Sequence, residues 1–175
     1  MDKQVILFNK PFGVVCQFSG EDKNLSDYIK LKNIYPAGRL DKDSEGLVVL
    51  TNDGKLQNQI SNPKFNKEKT YIVQVEGQIT NSALDELCSG VELKDGLTKK
   101  ALAKEIPEPD WLWLRNPPIR YRKYIPTSWL EIKITEGKNR QVRRMGAKVG
   151  FPVLRLIRTN VGEWSIKNIN IGEYK

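Results

Sequence analysis

Apolar and polar residues alternate in short stretches of this chain and fall at helical spacing in others, with Gly, Pro and Asn between them. Gln4 to Asn9 predicts a strand, stopped by Lys10-Pro11-Phe12-Gly13 before a second apolar run from Val14 to Cys16. Leu25 to Leu31 predicts a short helix. Ile34 to Ala37 and Leu47 to Thr51 predict strands on either side of a polar turn, and Asn52-Asp53-Gly54 ends the second with turn chemistry. Lys55 to Asn62 predicts a helix stopped by Pro63, and Thr70 to Glu76 alternates as a strand. Thr80 is suited to cap a helix that carries Ala83, Leu84 and Leu87 on one face and closes at Gly90. A strand follows near Lys99 to Ile106, and the stretch from Pro107 to Pro126 then holds five of the nine prolines, which interrupt regular structure. Ser128 to Thr135 sets Trp129, Glu131 and Lys133 against Leu130, Ile132 and Ile134, a half-buried strand.

Glu136-Gly137-Lys138 turns into a helix that Asn139 is suited to cap and that runs to Gly150, with Val142, Met145 and Val149 inward. Arg140, Arg143, Arg144 and Ala147 would share the adjacent face, so that three guanidinium groups project together. Val153 to Thr159 and Glu163 to Ile166 predict the last strands. No repeat or long linker divides the chain, and strands joined by hairpins as well as helices predict one α+β domain over residues 1–175.

With 175 residues, of which 39% are hydrophobic, the chain can bury a core without staples. Its longest apolar runs are four residues, such as Val5 to Phe8, where a span needs about 20. The expectation is therefore a protein with no membrane partner. Met1 to Gln4 does not read as a secretory leader, and Cys16 and Cys88 form no CxxC pair, so the expected location is the cytoplasm and both thiols are expected in the core. The chain has no His, which excludes Ser-His-Asp and Cys-His triads, an imidazole base and His-ligated metal. Proton transfer then falls to carboxylates, Tyr, Lys or water.

The formal charge of +8 is unevenly spread: Arg115 to Arg158 holds twelve basic and two acidic residues, a net +10, which leaves −2 for the rest. A basic block on a near-neutral body suits a polyanion, because neutralising phosphates releases condensed counterions. Trp111, Trp113, Tyr121, Tyr124 and Trp129 interleave with those cations, as base stacking would require. A solvated basic face is the competing reading.

The densest polar cluster is Gly38-Arg39-Leu40-Asp41-Lys42-Asp43-Ser44-Glu45-Gly46, between two apolar strands. Such a turn can hold one carboxylate inward. Asp41, Asp43, Glu45 and Gly46 also match the opening of a calcium loop, but its twelfth position would be Asn52 instead of a bidentate Glu, and an apolar strand replaces the exiting helix.

Tyr35 to Gly54, through that cluster, resembles the catalytic motif of RNA pseudouridine synthases, in the branch that acts on ribosomal RNA. Leu7 to Val15 resembles the opening motif of the family, Lys69-Thr70-Tyr71-Ile72-Val73 its tyrosine motif, and Glu136 to Met145 its arginine motif, all in the family's order. Trp111-Leu112-Trp113 and Arg115 to Arg120 draw the likeness toward enzymes of large-subunit ribosomal RNA. The resemblance implies the fold of that family, a mixed, mainly antiparallel sheet flanked by helices, and no separate N-terminal RNA-binding domain. It implies Asp41 as the catalytic aspartate, Arg143 as its cationic partner and Tyr71 as the residue beneath the target base. Arg39 would fill the space left by an extruded uridine. Lys10 would support the pocket, and Arg120, Arg122, Arg140 and Arg144 would bind RNA.

The implied reaction exchanges a nitrogen–sugar bond for a carbon–sugar bond, an isomerisation that needs neither cofactor nor metal. A close guanidinium would favour the ionised carboxylate in a partly dry pocket. The partner is then ribosomal RNA and the expected state a monomer. Two alternatives are a non-catalytic ribosomal-RNA-binding or ribosome-assembly protein with the same fold, and a thiol nucleophile at Cys16 or Cys88.

Overall fold

Leu47-Val48-Val49-Leu50 becomes the middle of a strand, Glu45–Thr51, in which every residue is buried, because apolar residues on both faces of a strand need cover on both sides. The computed structural model describes residues 2–120 and 122–175. These fall into two compact units: one runs to Lys67 and resumes over Ile157–Lys175, the other is Glu68–Leu156.

The first unit opens with β1 (Val5–Lys10), followed by β2 (Tyr35–Ala37) and β3 (Glu45–Thr51). Both earlier strands lie antiparallel to β3, in registers that run from Val5 opposite Thr51 to Lys10 opposite Gly46, and from Tyr35 opposite Thr51 to Ala37 opposite Val49. Helix α1 (Gly54–Ser61) is capped by Asp53, whose carboxylate accepts the Lys55 N–H at 3.2 Å. The apolar residues collected around Phe8 are Val14, Cys16, Leu25, Ile29, Ile34, Leu40, Val48 and Leu50.

The helix expected over Leu25 to Leu31 is a single 3-10 turn, Leu25–Asp27. Asn24 and Asp27 close a reciprocal capping box around it, and Asn33, left-handed at φ 61°, turns the chain away before a helix can grow. Val14 to Cys16 forms no strand; Val15 makes one parallel bridge to Asn24.

In the second unit, β4 (Lys69–Glu76) is followed by α2 (Asn81–Ser89), the hairpin β5 (Glu92–Leu93) and β6 (Gly96–Leu97), β7 (Leu102–Ile106), β8 (Thr127–Ile134) and α3 (Gln141–Lys148). Antiparallel pairing joins β4 to β8 along their full length, Lys69 opposite Ile134 through Glu76 opposite Thr127, and β7 lies along the other edge of β8. Thr80 caps α2 as the sequence predicts: its hydroxyl accepts the Ala83 N–H at 3.1 Å, and Ala83 and Leu87 are buried. Tyr71, Val73 and Val75 of β4 meet Leu130, Ile132 and Ile134 of β8 and Val142 and Met145 of α3 in the core of this unit.

Strand β9 (Val153–Val161) leads out of the second unit, and its residues from Ile157 on belong to the first. There Glu45 and Gly46 of β3 pair in parallel with Ile157 and Arg158, and β10 (Trp164–Ser165) folds back antiparallel on β9. The fold is therefore α+β with mixed but mainly antiparallel strands, as expected, and the described residues form three α-helices. Among the described residues no helix is long and apolar enough to cross a membrane.

Candidate active site

The polar turn between β2 and β3 is pinned at both ends by one guanidinium. Arg158, 4% exposed, donates from Nη2 to the Gly38 carbonyl at 3.0 Å and from Nε to the Leu47 carbonyl at 2.9 Å. Gly46, opposite Arg158, has φ 107°, and a Cβ there would overlap the Arg158 carbonyl oxygen, so the close parallel pairing requires glycine. In the middle of the turn the Lys42 carbonyl accepts the Gly13 N–H at 2.8 Å, and the Ser44 N–H closes onto the Asp41 carbonyl at 3.0 Å.

Leu40 enters the core, 5% exposed, while its neighbours Arg39 and Asp41 are exposed. The carboxylate the turn holds inward is thus Glu45, 1% exposed, and not Asp41, because Leu40 takes the inward place beside it. The calcium-loop reading fails here: Glu45 is the first residue of β3 and is buried within the strand.

Lys10, expected to support the pocket, is enclosed by the protein. It is 0% exposed, and its Nζ donates to the carbonyls of Val14, Pro11 and Lys42 at 2.8, 2.9 and 3.3 Å, which accounts for all three ammonium hydrogens. It supports the Asp41 turn from beneath and offers no donor to a substrate. Burial pushes its ammonium down to about 8, opposed by the charges of Cys16, Glu45, Asp43 and Asp41. Burial also pushes the Cys16 thiol up, against the Leu40 backbone hydrogen bond and the cations Arg158, Lys10 and Arg39. A thiol so protected is a poor nucleophile, which disfavours chemistry at Cys16. Cys88 is partly buried, with its Sγ 3.7 Å from the Ala103 carbonyl.

The second unit carries the tyrosine and arginine motifs. Tyr71, in β4 opposite Ile132, is 9% exposed. Helix α3 starts at Gln141, one residue later than a cap at Asn139 predicts. Its N-cap is Arg140 in the left-handed conformation, φ 51° and ψ 35°, with no side-chain cap bond. A left-handed residue breaks the helical phase, so Arg140 does not continue the face of Arg143 and Arg144 as expected. Arg143 is half-buried and Arg140 exposed. Arg144 is drawn into a bidentate pair with Asp95, 2.7 and 3.2 Å, and its Nε donates to the Asn139 carbonyl at 3.0 Å. That pair holds the Asp95 carboxyl below its usual range and raises Arg144 further.

The basic block divides by burial. Arg155 is 6% exposed and donates to the Trp113 carbonyl at 2.9 Å, and Arg115 donates to the carbonyls of Pro117 and Leu154 at 2.8 and 3.1 Å. With Arg158, these are structural cations that the sequence reading counted among the phosphate contacts. Periodicity does mark Arg155, since it stands among apolar residues of a strand, but charge counting hides it. Arg120, Arg122, Lys123 and Tyr124 instead are exposed around a groove of about 530 Å³ that Gln74 and Thr127 also line. Arg122 reaches Glu76 at 3.2 Å. Tyr121, singled out with these aromatics, lies outside the described residues. Trp129 is 6% exposed and is core, whereas Trp111 is 45% exposed and lies 5.6 Å, centroid to centroid, from Trp113.

Comparison with known proteins covers these motifs. The sequence model described as RNA pseudouridylate synthase matches residues 4–148. A protein of Vibrio vulnificus (strain CMCP6) named "Ribosomal large subunit pseudouridine synthase E" is 53% identical over 176 residues, 99% of this chain and 75% of the relative. One of the same name from Xanthomonas campestris pv. campestris is 46% identical, over 98% of this chain and 94% of the relative. A solved structure, "Crystal structure of pseudouridylate synthase", superposes with a TM-score of 0.81 at 28% identity, covering 99% of this chain and 70% of that one.

Proposed function

The chain belongs to the RNA pseudouridylate synthase family, and from that premise we infer that it isomerises a uridine of large-subunit ribosomal RNA to pseudouridine. The observation that carries this reading is that the family match over residues 4–148 contains Asp41, Tyr71 and Arg143, each in its own motif. In the reaction the bond from uracil N1 to the sugar C1′ breaks, the base turns, a bond forms from C5 to C1′, and the hydrogen of C5 is lost as a proton while N1 gains one. No electrons leave or enter, so the work of the protein is to hold, extrude and stabilise.

Asp41 supplies the carboxylate, as nucleophile or as proton acceptor at the sugar. Asp41 is exposed, so an incoming nucleotide can reach it, and the RNA that covers it completes the drier pocket. Arg143 stabilises the ionised carboxylate, as a guanidinium does with bidentate geometry. Tyr71 stacks beneath the uracil, and Arg39, two residues from Asp41 and exposed, fills the gap left in the RNA stack. Extrusion costs a few kcal/mol, which phosphate contacts from Arg120, Arg122, Arg140 and Arg144 offset.

The 175 residues act as one catalytic domain, as a monomer in the cytoplasm. A ribosomal-RNA-binding protein without catalysis would bear the same basic surface, but nothing in binding alone requires Asp41 on a turn fixed by Arg158 and Lys10. The test is release of tritium from RNA labelled at C5 of uridine: the enzyme liberates it, and an inert binder does not.

A further inference from the structure

Two polar side chains with no part in the proposed chemistry are buried together at the entrance to α3. Glu136 is 8% exposed and Gln141 3%. A single oxygen, Glu136 Oε1, accepts the Lys99 N–H at 2.7 Å and the Gln141 Nε2–H at 2.9 Å. Gln141 in turn accepts the Lys138 N–H on Oε1 at 3.2 Å. Burying a carboxylate and an amide is costly unless their hydrogen bonds are made, so a matched pair at this depth marks a place where geometry has to be fixed.

The geometry in question is the start of α3. Arg140, left-handed at the N-cap, supplies no side-chain cap. Gln141 folds its amide back onto Lys138, and Glu136 anchors that amide to the backbone of Lys99, next to the β5–β6 hairpin. The loop from Glu136 to Arg140 is thereby tied across its own ends, and α3 leaves it in one direction. Arg143 stands two residues beyond Gln141, within the first helical turn, so its direction follows from that start.

We infer that Glu136 is a positioning residue for Arg143, acting through Gln141 to set the direction of the Arg143 guanidinium. The inference rests on Arg143 serving the isomerisation as proposed above. Because the Lys99 N–H and the Gln141 amide both fall on one acceptor oxygen, the role belongs to the acceptor and not to the negative charge. A glutamine at 136 offers the same oxygen; a leucine fills the space and offers none. Gln141→Glu removes the donor that Oε1 receives and sets two carboxylates together. Combining it with Glu136→Gln restores one donor and one acceptor in reversed order.

The experiment measures single-turnover tritium release at saturating RNA, RNA affinity and thermal unfolding for the unaltered protein, Glu136→Gln, Glu136→Leu, Gln141→Glu and the double variant. Glu136→Gln is expected to keep the rate within about threefold, and Glu136→Leu to lower it roughly 10- to 100-fold with affinity nearly unchanged, as loss of alignment does. Gln141→Glu is expected to be slow and the double variant to recover most of the rate. A folded Glu136→Leu variant with the unaltered rate would overturn the inference, and so would a Glu136→Gln variant as slow as Glu136→Leu. Should Glu136→Leu fail to fold, recovery in the double variant decides for the inference and its absence against. An unaltered protein that releases no tritium overturns the functional reading itself, and this role with it.

Discussion

The guanidinium of Arg158 holds the carbonyl of Gly38 at 3.0 Å, although 120 residues separate the two in the chain. Its second bond, to Leu47 at 2.9 Å, makes Arg158 a clamp across the turn that carries Asp41. A residue that charge counting assigns to RNA is therefore spent on the protein's own backbone.

Arg158→Ala leaves two carbonyls without this donor in a buried place, and is expected to destabilise the chain by about 3 kcal/mol. Arg158→Lys recovers only part of that, since one ammonium does not reproduce a fork held to two carbonyls. Urea unfolding measures both. A clamp also predicts that the salt dependence of RNA binding stays the same in a folded Arg158→Met variant, which lacks the charge; a shallower dependence at unaltered stability would return Arg158 to the phosphate contacts.

Arg120 and Arg122 make the opposite prediction. Both are exposed at the groove they line with Gln74 and Thr127. Arg120→Ala is expected to leave stability within about 0.5 kcal/mol and to reduce the slope of log affinity against log salt by about 0.7, the value for one phosphate on a single strand. Arg122→Ala behaves alike, less the part of its charge engaged by Glu76. A binding titration at several salt concentrations checks both, and unchanged slopes contradict the assignment.

Lys10 ties stability to pH. Its ammonium titrates at about 8 in the folded chain against an ordinary 10.5, so between these values the unfolded chain holds the proton that the folded chain has lost. Below pH 8 the cost of the buried charge is carried in full; as the pH rises from 8 to 10.5 it is relieved and stability increases. Relative to Lys10→Met, the unaltered protein is expected to gain roughly 1 kcal/mol per pH unit over that window. Unfolding of both proteins at pH 7 to 11 measures the difference, and a gain on lowering the pH would reverse the sign and reject it.

These outcomes also mark how far the sequence could be read. Local chemistry was legible where it decided the structure: the Thr80 hydroxyl at the head of α2, the alternation along β8, and the apolar run of β3. Asn139 looked equally able to cap α3, yet Arg140 turns left-handed and Gln141 ties the loop back instead, held by the buried Glu136 five residues before it. The polar turn between two apolar strands was legible, but not that Leu40 would take the inward position and leave Asp41 exposed. Nor does a lysine followed by proline announce that its ammonium will meet three carbonyls, of which that of Lys42 is 32 residues away; Arg158 is set by long-range packing, which periodicity does not encode.

The most direct test of the account is tritium release by the Asp41→Asn variant on RNA labelled at C5 of uridine. Asp41 is exposed, so the substitution is expected to leave unfolding within about 0.5 kcal/mol and RNA affinity within about threefold, while release of the label falls to background. Release at the rate of the unaltered protein would contradict the account, because the reaction would then proceed without the carboxylate on which it is built.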